Sequence, residues 1–287
     1  MTGRAPLTDP ASTGSAVEPI VVVDAPGRTT SIRLALEDVV VTEFTRSAGE
    51  PGPEPHVHRL HADCFYVLDG ALTLSLADGD RAVGPGTFVL VPPNVTHTFS
   101  SPDATRFLNF HTPGMGFDRH LLGTLDVPFD QHPPPADGGA DPASVVVRTA
   151  ETDAVAIAGI AIGFLANAEE TLGAMGLVEY TAPPLFPGPP AHLHEHTWDA
   201  YYVLEGRLGL RLGDERFELG PGDVAVAAPG TVHGFSNPLE TPTRFLDVHA
   251  PGGFERYFRE VAAALGDGPL DPAAMAEIAS RYDMVVA

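Results

Sequence analysis

The sequence predicts an all-β chain built as two similar β-barrels in tandem. Three observations lead there: abundant turn-forming residues, no long stretch with apolar residues at helical spacing, and an internal repeat. Its 287 residues include 29 prolines and 30 glycines, which suits short strands joined by turns. Laying GPEPHVHRLHADCFYVLDGALTLSLADGDRAVGPGTFVLVPPNVTHTFSSP, from Gly52, over GPPAHLHEHTWDAYYVLEGRLGLRLGDERFELGPGDVAVAAPGTVHGFSNP, from Gly188, aligns the two without a gap at an offset of 136 residues. Under that offset His56 meets His192, His58 meets His194, Asp63 meets Asp199, Gly70 meets Gly206, Gly86 meets Gly222 and His97 meets His233. After a shift of two more residues the match resumes, with Arg106-Phe107-Leu108 over Arg244-Phe245-Leu246 and His111 over His249. A period of this length marks a duplicated unit, and the chain is long enough for each copy to bury its own core.

The elements follow in order. Residues 1–18 read as a disordered tail, and the apolar run at Ile20 opens the first barrel. The first barrel is expected over residues 19–137 and the second over 138–287, with the Pro-, Gly- and Asp-rich stretch Phe129 to Ser144 as linker. Within the copies, Asp69-Gly70 and Glu205-Gly206 break paired apolar runs, a turn signal between strands. The runs at Gly84 and Gly220 mark the next turn, before the strands TFVLV and DVAVA. Phe254 to Leu265 and Asp271 to Tyr282 read as two C-terminal helices, the second with Asp-Pro in cap and first-turn positions.

Composition excludes several functions. A formal charge of -22 with no clustered arginines argues against a nucleic-acid backbone or an anionic membrane as partner. The sequence contains no lysine, which rules out an internal Schiff base. Cys64 is the single cysteine, so no internal disulfide forms, and a buried apolar role is expected for it. The N-terminal stretch lacks the apolar core of a signal peptide, and no run of about 18 apolar residues exists; a cytoplasmic protein is expected.

Both copies carry His-x-His-x4-Asp and then one histidine 39 residues after the second of the pair. Residues two apart on a strand share a face, so His56 with His58, and His192 with His194, converge. A third histidine from a distant strand completes a facial set. Such a set suits a divalent transition metal (Fe, Mn, Ni, Co, Cu or Zn), one per barrel, rather than Ca or Mg.

The runs HVHRLHADCFYVLDG with GPGTFVLVPPNVTH, and HLHEHTWDAYYVLEG with GPGDVAVAAPGTVH, resemble the two motifs of the cupin superfamily over roughly 110 residues of each half. The resemblance implies a double-stranded β-helix, or jelly roll, in each half, and thus a bicupin. It also implies metal ligands at His56, His58, Asp63 and His97, and at His192, His194, Asp199 and His233. Both copies depart at the acid, where the family has glutamate; aspartate is one methylene shorter and could instead act through water or as a general base. Asn94 stands in place of a family glycine, Ser101 in place of asparagine and Ala228 in place of proline, so the second copy, with Gly230 and Asn237, follows the pattern better.

By strand parity Phe65, Val67, Phe88, Leu90 and Phe99 are expected to line the first barrel, and Tyr201, Val203, Val224, Val226 and Phe235 the second. Such apolar walls suit an aromatic or enolic substrate. Phe65, Phe88, Phe99, Tyr201 and Phe235 are the expected pocket residues, and Asp63, Asp199 and Tyr201 the expected catalytic ones. Similarity to the bicupin quercetin 2,3-dioxygenases implies a metal-dependent dioxygenase. The alternatives are a non-oxidative isomerase, cyclase or decarboxylase on the same scaffold, or a metal-poor binding or storage bicupin. A monomer or a homodimer is expected, because two barrels in one chain can supply the pairing common in the family.

Overall fold

The computed structural model describes residues 17–265 and 272–287. The expectation of a tail over residues 1–18 therefore lies outside the described residues except at Val17 and Glu18, as does the capping role of Asp271. Two compact units emerge, residues 19–149 with 170–174, and residues 150–169 with 175–287.

The first unit runs β1 (Ile20–Ala25), β2 (Arg28–Ala35), β3 (Val40–Arg46), β4 (Glu50–Pro51), β5 (Ala62–Asp69), β6 (Leu72–Leu76), β7 (Gly79–Val83), β8 (Phe88–Val91), β9 (His97–Ser101), β10 (Thr105–Thr112), helix α1 (Phe117–Leu121) and β11 (Val146–Arg148). Its sheets have the orders β1-β2-β3-β10-β5-β8-β11 and β4-β9-β6-β7. The second unit runs β12 (Ala154–Ile157), β13 (Ile160–Ala166), β14 (Gly176–Ala182), β15 (His192–Leu193), β16 (Trp198–Glu205), β17 (Leu208–Leu212), β18 (Glu215–Leu219), β19 (Val224–Ala227), β20 (His233–Ser236), β21 (Thr243–Ala250), α2 (Glu255–Leu265), α3 (Pro272–Ala279) and β22 (Val285–Val286). Its sheets are β12-β13-β14-β21-β16-β19 and β18-β17-β20-β15-β22. The shared cores of the sheets, β3-β10-β5-β8 and β14-β21-β16-β19, have the same order, as the repeat requires.

Buried and partly exposed residues alternate along β6 and β17, which turns their leucines inward and their polar and small residues outward. In the first unit these leucines meet Phe65, Val67, Phe107, Val89 and Val91, and in the second Tyr201, Val203, Phe245, Ala225 and Ala227. Each large apolar side chain so buried contributes about 1.5–3 kcal/mol. Helices α2 and α3 add Tyr257, Phe258, Val261, Ile278 and Ala279 to the second core. Among the described residues no helix is long and apolar enough to cross a membrane.

The expected boundary near Gly138 precedes a strand that pairs within the first unit, where Val146, Val147 and Arg148 lie opposite Leu90, Val89 and Phe88. The stretch from Phe129 is not a free linker: Phe129 and Asp130 are buried, and His132 bridges to Val57.

Candidate metal centres

The three histidines of each centre arrive through backbone pairing. His56 and His97 form an antiparallel bridge in the first unit, and His192 and His233 in the second. The chain enters each His-x-His segment through a glycine pressed against the strand of the third histidine. A Cβ on Gly52 would lie 1.8 Å from the Phe99 carbonyl oxygen, and one on Gly188 only 1.7 Å from that of Phe235. No larger residue fits there. The turn before the third histidine is left-handed in both copies, at Asn94 (φ 66°) and Gly230 (φ 79°). Each donates its N–H to the carbonyl of the second motif histidine at 2.6 Å, so Asn94 serves its turn as glycine does.

Within each centre the donor atoms of His56, His58, Asp63 and His97, or of His192, His194, Asp199 and His233, lie within 4.8 Å of one another, and all eight residues are buried. Donors held at about 2.0–2.2 Å from one ion stand roughly 3–4.4 Å apart, so the spacing fits. The hydrogen bonding fits better still. Each ring's Nδ1 faces a backbone carbonyl: His56 that of Glu54 at 2.8 Å, His97 that of Val95 at 2.9 Å, His192 that of Pro190 at 2.9 Å and His233 that of Thr231 at 2.8 Å. His58 faces the carbonyl of Asp130 at 2.5 Å, and His194 that of Asp283.

A carbonyl only accepts, so the proton sits on Nδ1 and the neutral ring presents a lone pair at Nε2. In the first centre that lone pair faces another acceptor, Asp63 Oδ2, at 3.2 Å from His97 and 3.6 Å from His58. In the second, Asp199 Oδ2 lies 2.9 Å from His233 and 3.3 Å from His194. The Nε2 atoms of His58, His194 and His233 and the Oδ1 of Asp199 have no hydrogen-bond partner. A cation between them would satisfy buried acceptors that converge in this way. These residues fit a divalent transition metal, with the carbonyls as the outer partners that such imidazoles ordinarily have.

Electrostatics keep most of the set ready. Burial, and then His97, hold His56 down at about 4; burial and His233 do the same for His192. Burial opposes ionisation of Asp63 and Asp199, but the surrounding histidines outweigh it and hold both carboxyls well below the usual range.

These shifts give an expectation for the metal-free protein. His56, His61 and His192 titrate at about 4 when folded, against 6.5 ordinarily, so between those values the unfolded chain takes up protons that the folded chain refuses. Stability then falls as pH drops through that window. His58 and His194 act oppositely, since their carboxylate partners raise them despite burial and their contribution fades above pH 6.5. Thermal melts of chelator-treated protein are expected to show a lower melting temperature at pH 4 than at pH 6.5. A higher one would contradict the assigned environments.

Behind the ligands the copies diverge. In the first, Asn109 donates from Nδ2 to Asp63 Oδ1 at 2.5 Å and accepts at Oδ1 from His111 Nε2 at 3.0 Å. The matching residue of the second copy is Asp247, buried beside Asp199 and 3.6 Å from His249 Nε2. Burial, and then Asp199, push Asp247 well above the usual carboxylate range. Tyr180 and Tyr201 stand where the first copy has Phe44 and Phe65, and the Tyr201 hydroxyl donates to Asp199 Oδ2 at 3.3 Å. Ala225 and Ala227 replace Val89 and Val91.

The expected pocket residues divide. Phe65, Phe99, Tyr201 and Phe235 do lie within their barrel cores or pack against them. Phe88 does not, and neither do Leu90, Val224 and Val226. Asp63 pairs with Val91 and Phe65 with Val89, and Asp199 with Ala227 and Tyr201 with Ala225. Directly opposed residues of an antiparallel pair share a face, so Val89, Val91, Ala225 and Ala227 face inward and Phe88 points the other way, against Phe110.

Sequence reasoning also missed residues from outside the repeat. Phe254 stands edge-on to His194 at 4.5 Å between centroids, and Phe129 similarly to His58 at 5.9 Å. Asp130 Oδ2 accepts from the N–H groups of Arg59 and Leu60 at 3.0 and 2.7 Å, and from His61 Nδ1 at 3.0 Å. Asp283 accepts from the N–H groups of Glu195 and His196 at 2.7 and 2.9 Å, and from Thr197 Oγ1 at 2.8 Å.

Comparison with known proteins agrees with this architecture. The cupin domain model matches residues 42–111 and again 179–249, one stretch in each unit. The chain is a bicupin. It is 24% identical over 278 aligned residues to quercetin 2,3-dioxygenase of Bacillus subtilis, covering 80% of this chain and 78% of the relative. Among solved structures it superposes on Bacillus subtilis oxalate decarboxylase, a protein described with Mn(II) centres, with a TM-score of 0.59 at 14% identity, covering 96% of this chain and 89% of the other. AerE from Microcystis aeruginosa superposes with a TM-score of 0.56 at 14% identity, over 81% of this chain and 96% of the other. At these identities the bicupin fold is shared, while the candidate ligand sets above rest on this chain's own geometry.

Proposed function

We propose that this bicupin is a metal-dependent dioxygenase acting on a small aromatic or enolic substrate. The observation that carries this reading is the convergence of unpartnered imidazole Nε2 atoms and a carboxylate within apolar walls, strongest in the second barrel. His192, His194 and His233, with Asp199, would hold the metal there, and His56, His58, His97 and Asp63 in the first barrel. When bound, the metal supplies a Lewis-acid contact for an oxygen-bearing substrate.

The chain's own residues do the rest. Phe254, edge-on to His194, and the apolar lining of the barrel exclude water. Asp199 is held well below the usual carboxylate range and its Oδ2 faces His194 and His233, so that side of the carboxylate is the one to accept a substrate hydroxyl proton. Tyr201 steadies Asp199 by donating to the same oxygen. The name of the Bacillus subtilis dioxygenase relative supports this reaction class. The oxalate decarboxylase likeness favours a second reading, a non-oxidative reaction on the same scaffold.

An oxygen electrode separates them. Protein loaded in turn with Fe, Mn, Co, Ni, Cu or Zn is expected to consume O2 with at least one member of a flavonol and catechol panel, and to stop on chelation. Substrate conversion without O2 uptake would transfer the assignment to the non-oxidative reading; no conversion of any member would sink the proposed substrate class.

A further inference from the structure

One imidazole of each centre differs from its two partners in how it is held. His56, His97, His192 and His233 each find their Nδ1 acceptor two residues upstream, so local backbone fixes those rings. His58 and His194 do not. Their acceptors are the carbonyls of Asp130 and Asp283, 72 and 89 residues further along the chain. Both aspartates follow the helical segment of their unit.

In each case the aspartate anchors itself. Its carboxylate takes the first two backbone N–H groups after the second motif histidine, 59 and 60 in one unit and 195 and 196 in the other. The residues after it then pair with the His-x-His segment: His132 with Val57 in the first unit, and Val285 with Leu193 and Val286 with His192 in the second. The N–H of Ala287 donates to the carbonyl of Ala191 at 2.9 Å. Asp130 and Asp283 lie 153 residues apart, 17 more than the motif offset, so the helical segment has changed in length while the contact has been kept.

We infer that Asp130 and Asp283 are positioning residues of two straps, and that each centre reaches full metal affinity only when its strap is docked. The inference rests on the metal-centre reading. Without the remote carbonyl, the carboxylate oxygen that faces Nε2 of His58 or His194 favours the proton on that nitrogen, and a ring protonated at Nε2 cannot ligate there. Loss of such an outer partner ordinarily lowers metal affinity about 10–100-fold.

The test uses the full chain with one centre removed, His56→Ala/His58→Ala to isolate the second and His192→Ala/His194→Ala to isolate the first. Cobalt(II) affinity is measured by competition with a chelator, and the cobalt absorption spectrum reports the ligand field. In the first background, deletion of residues 283–287 is expected to weaken cobalt binding about 10–100-fold and to alter the spectrum. Asp283→Ala is expected to act in the same direction, while Asp283→Asn, which keeps one of the two acceptor oxygens, recovers part of the affinity. In the second background only Asp130→Ala has that effect. Far-UV circular dichroism and melting identify a deletion variant that has merely unfolded, in which case the Asp283→Ala and Asp283→Asn pair decides. Equal affinity and an unchanged spectrum in Asp283→Ala and its parent would overturn the strap. Absence of cobalt binding by the unmutated chain would instead overturn the metal-centre reading.

Discussion

His233→Ala is expected to lower turnover at least about 100-fold, and His97→Ala much less, when the two variants are compared at matched metal content with the same substrate. Displacing a reacting group by about 1 Å already costs that much, and removing a ligand does more than displace it. The expectation that the second barrel is the working one rests on its interior rather than on its turn, since Asn94 and Gly230 make the same backbone contact. Only the second barrel places Tyr201 against its carboxylate, Asp247 behind it, and alanines instead of valines beside it. Its Asn237 also ties down the exit of the third-histidine strand, donating to the carbonyls of Pro183 and Thr241 at 2.8 Å, whereas the hydroxyl of its counterpart Ser101 is buried without a partner. An inactive His97 variant beside an active His233 variant would reverse the assignment and make the second barrel structural.

Replacing both His192 and His194 by alanine is expected to remove one metal ion per chain and to leave the fold. The second core is built from Phe245, Leu208, Leu210, Tyr180, Phe258 and their neighbours, none of them a ligand, so the barrel does not depend on metal as a zinc finger does. Circular dichroism of the variant should overlay that of the parent, and elemental analysis should give one ion fewer. Loss of the β spectrum would show that the centre is part of the core.

The fold and the clustering of the histidines were legible because duplication wrote each signal twice. His-x-His on one strand face and a third histidine at a fixed distance are local patterns, and a single offset exposed them. Cys64 likewise proved to be buried, its thiol pushed up by burial and then by Asp63. What the sequence concealed depends on pairing. The inward face of β8 and β19 follows from their register with β5 and β16, so choosing the other parity put Phe88 inside when Val89 is. Asp130 and Asp283 escaped because the helices between them and the repeat shift their offset, and a Pro- and Gly-rich stretch reads as linker whether or not it carries a strap. The exchange of Asn109 for Asp247 was visible in the alignment, but only burial beside a second carboxylate gives it chemical meaning.

The most direct measurement is elemental analysis of the unmutated protein purified after metal-supplemented expression. Two centres whose imidazoles converge with a buried carboxylate are expected to hold about two transition-metal ions per chain. Substantially less than one ion per chain would contradict the metal centres, and with them the proposed reaction.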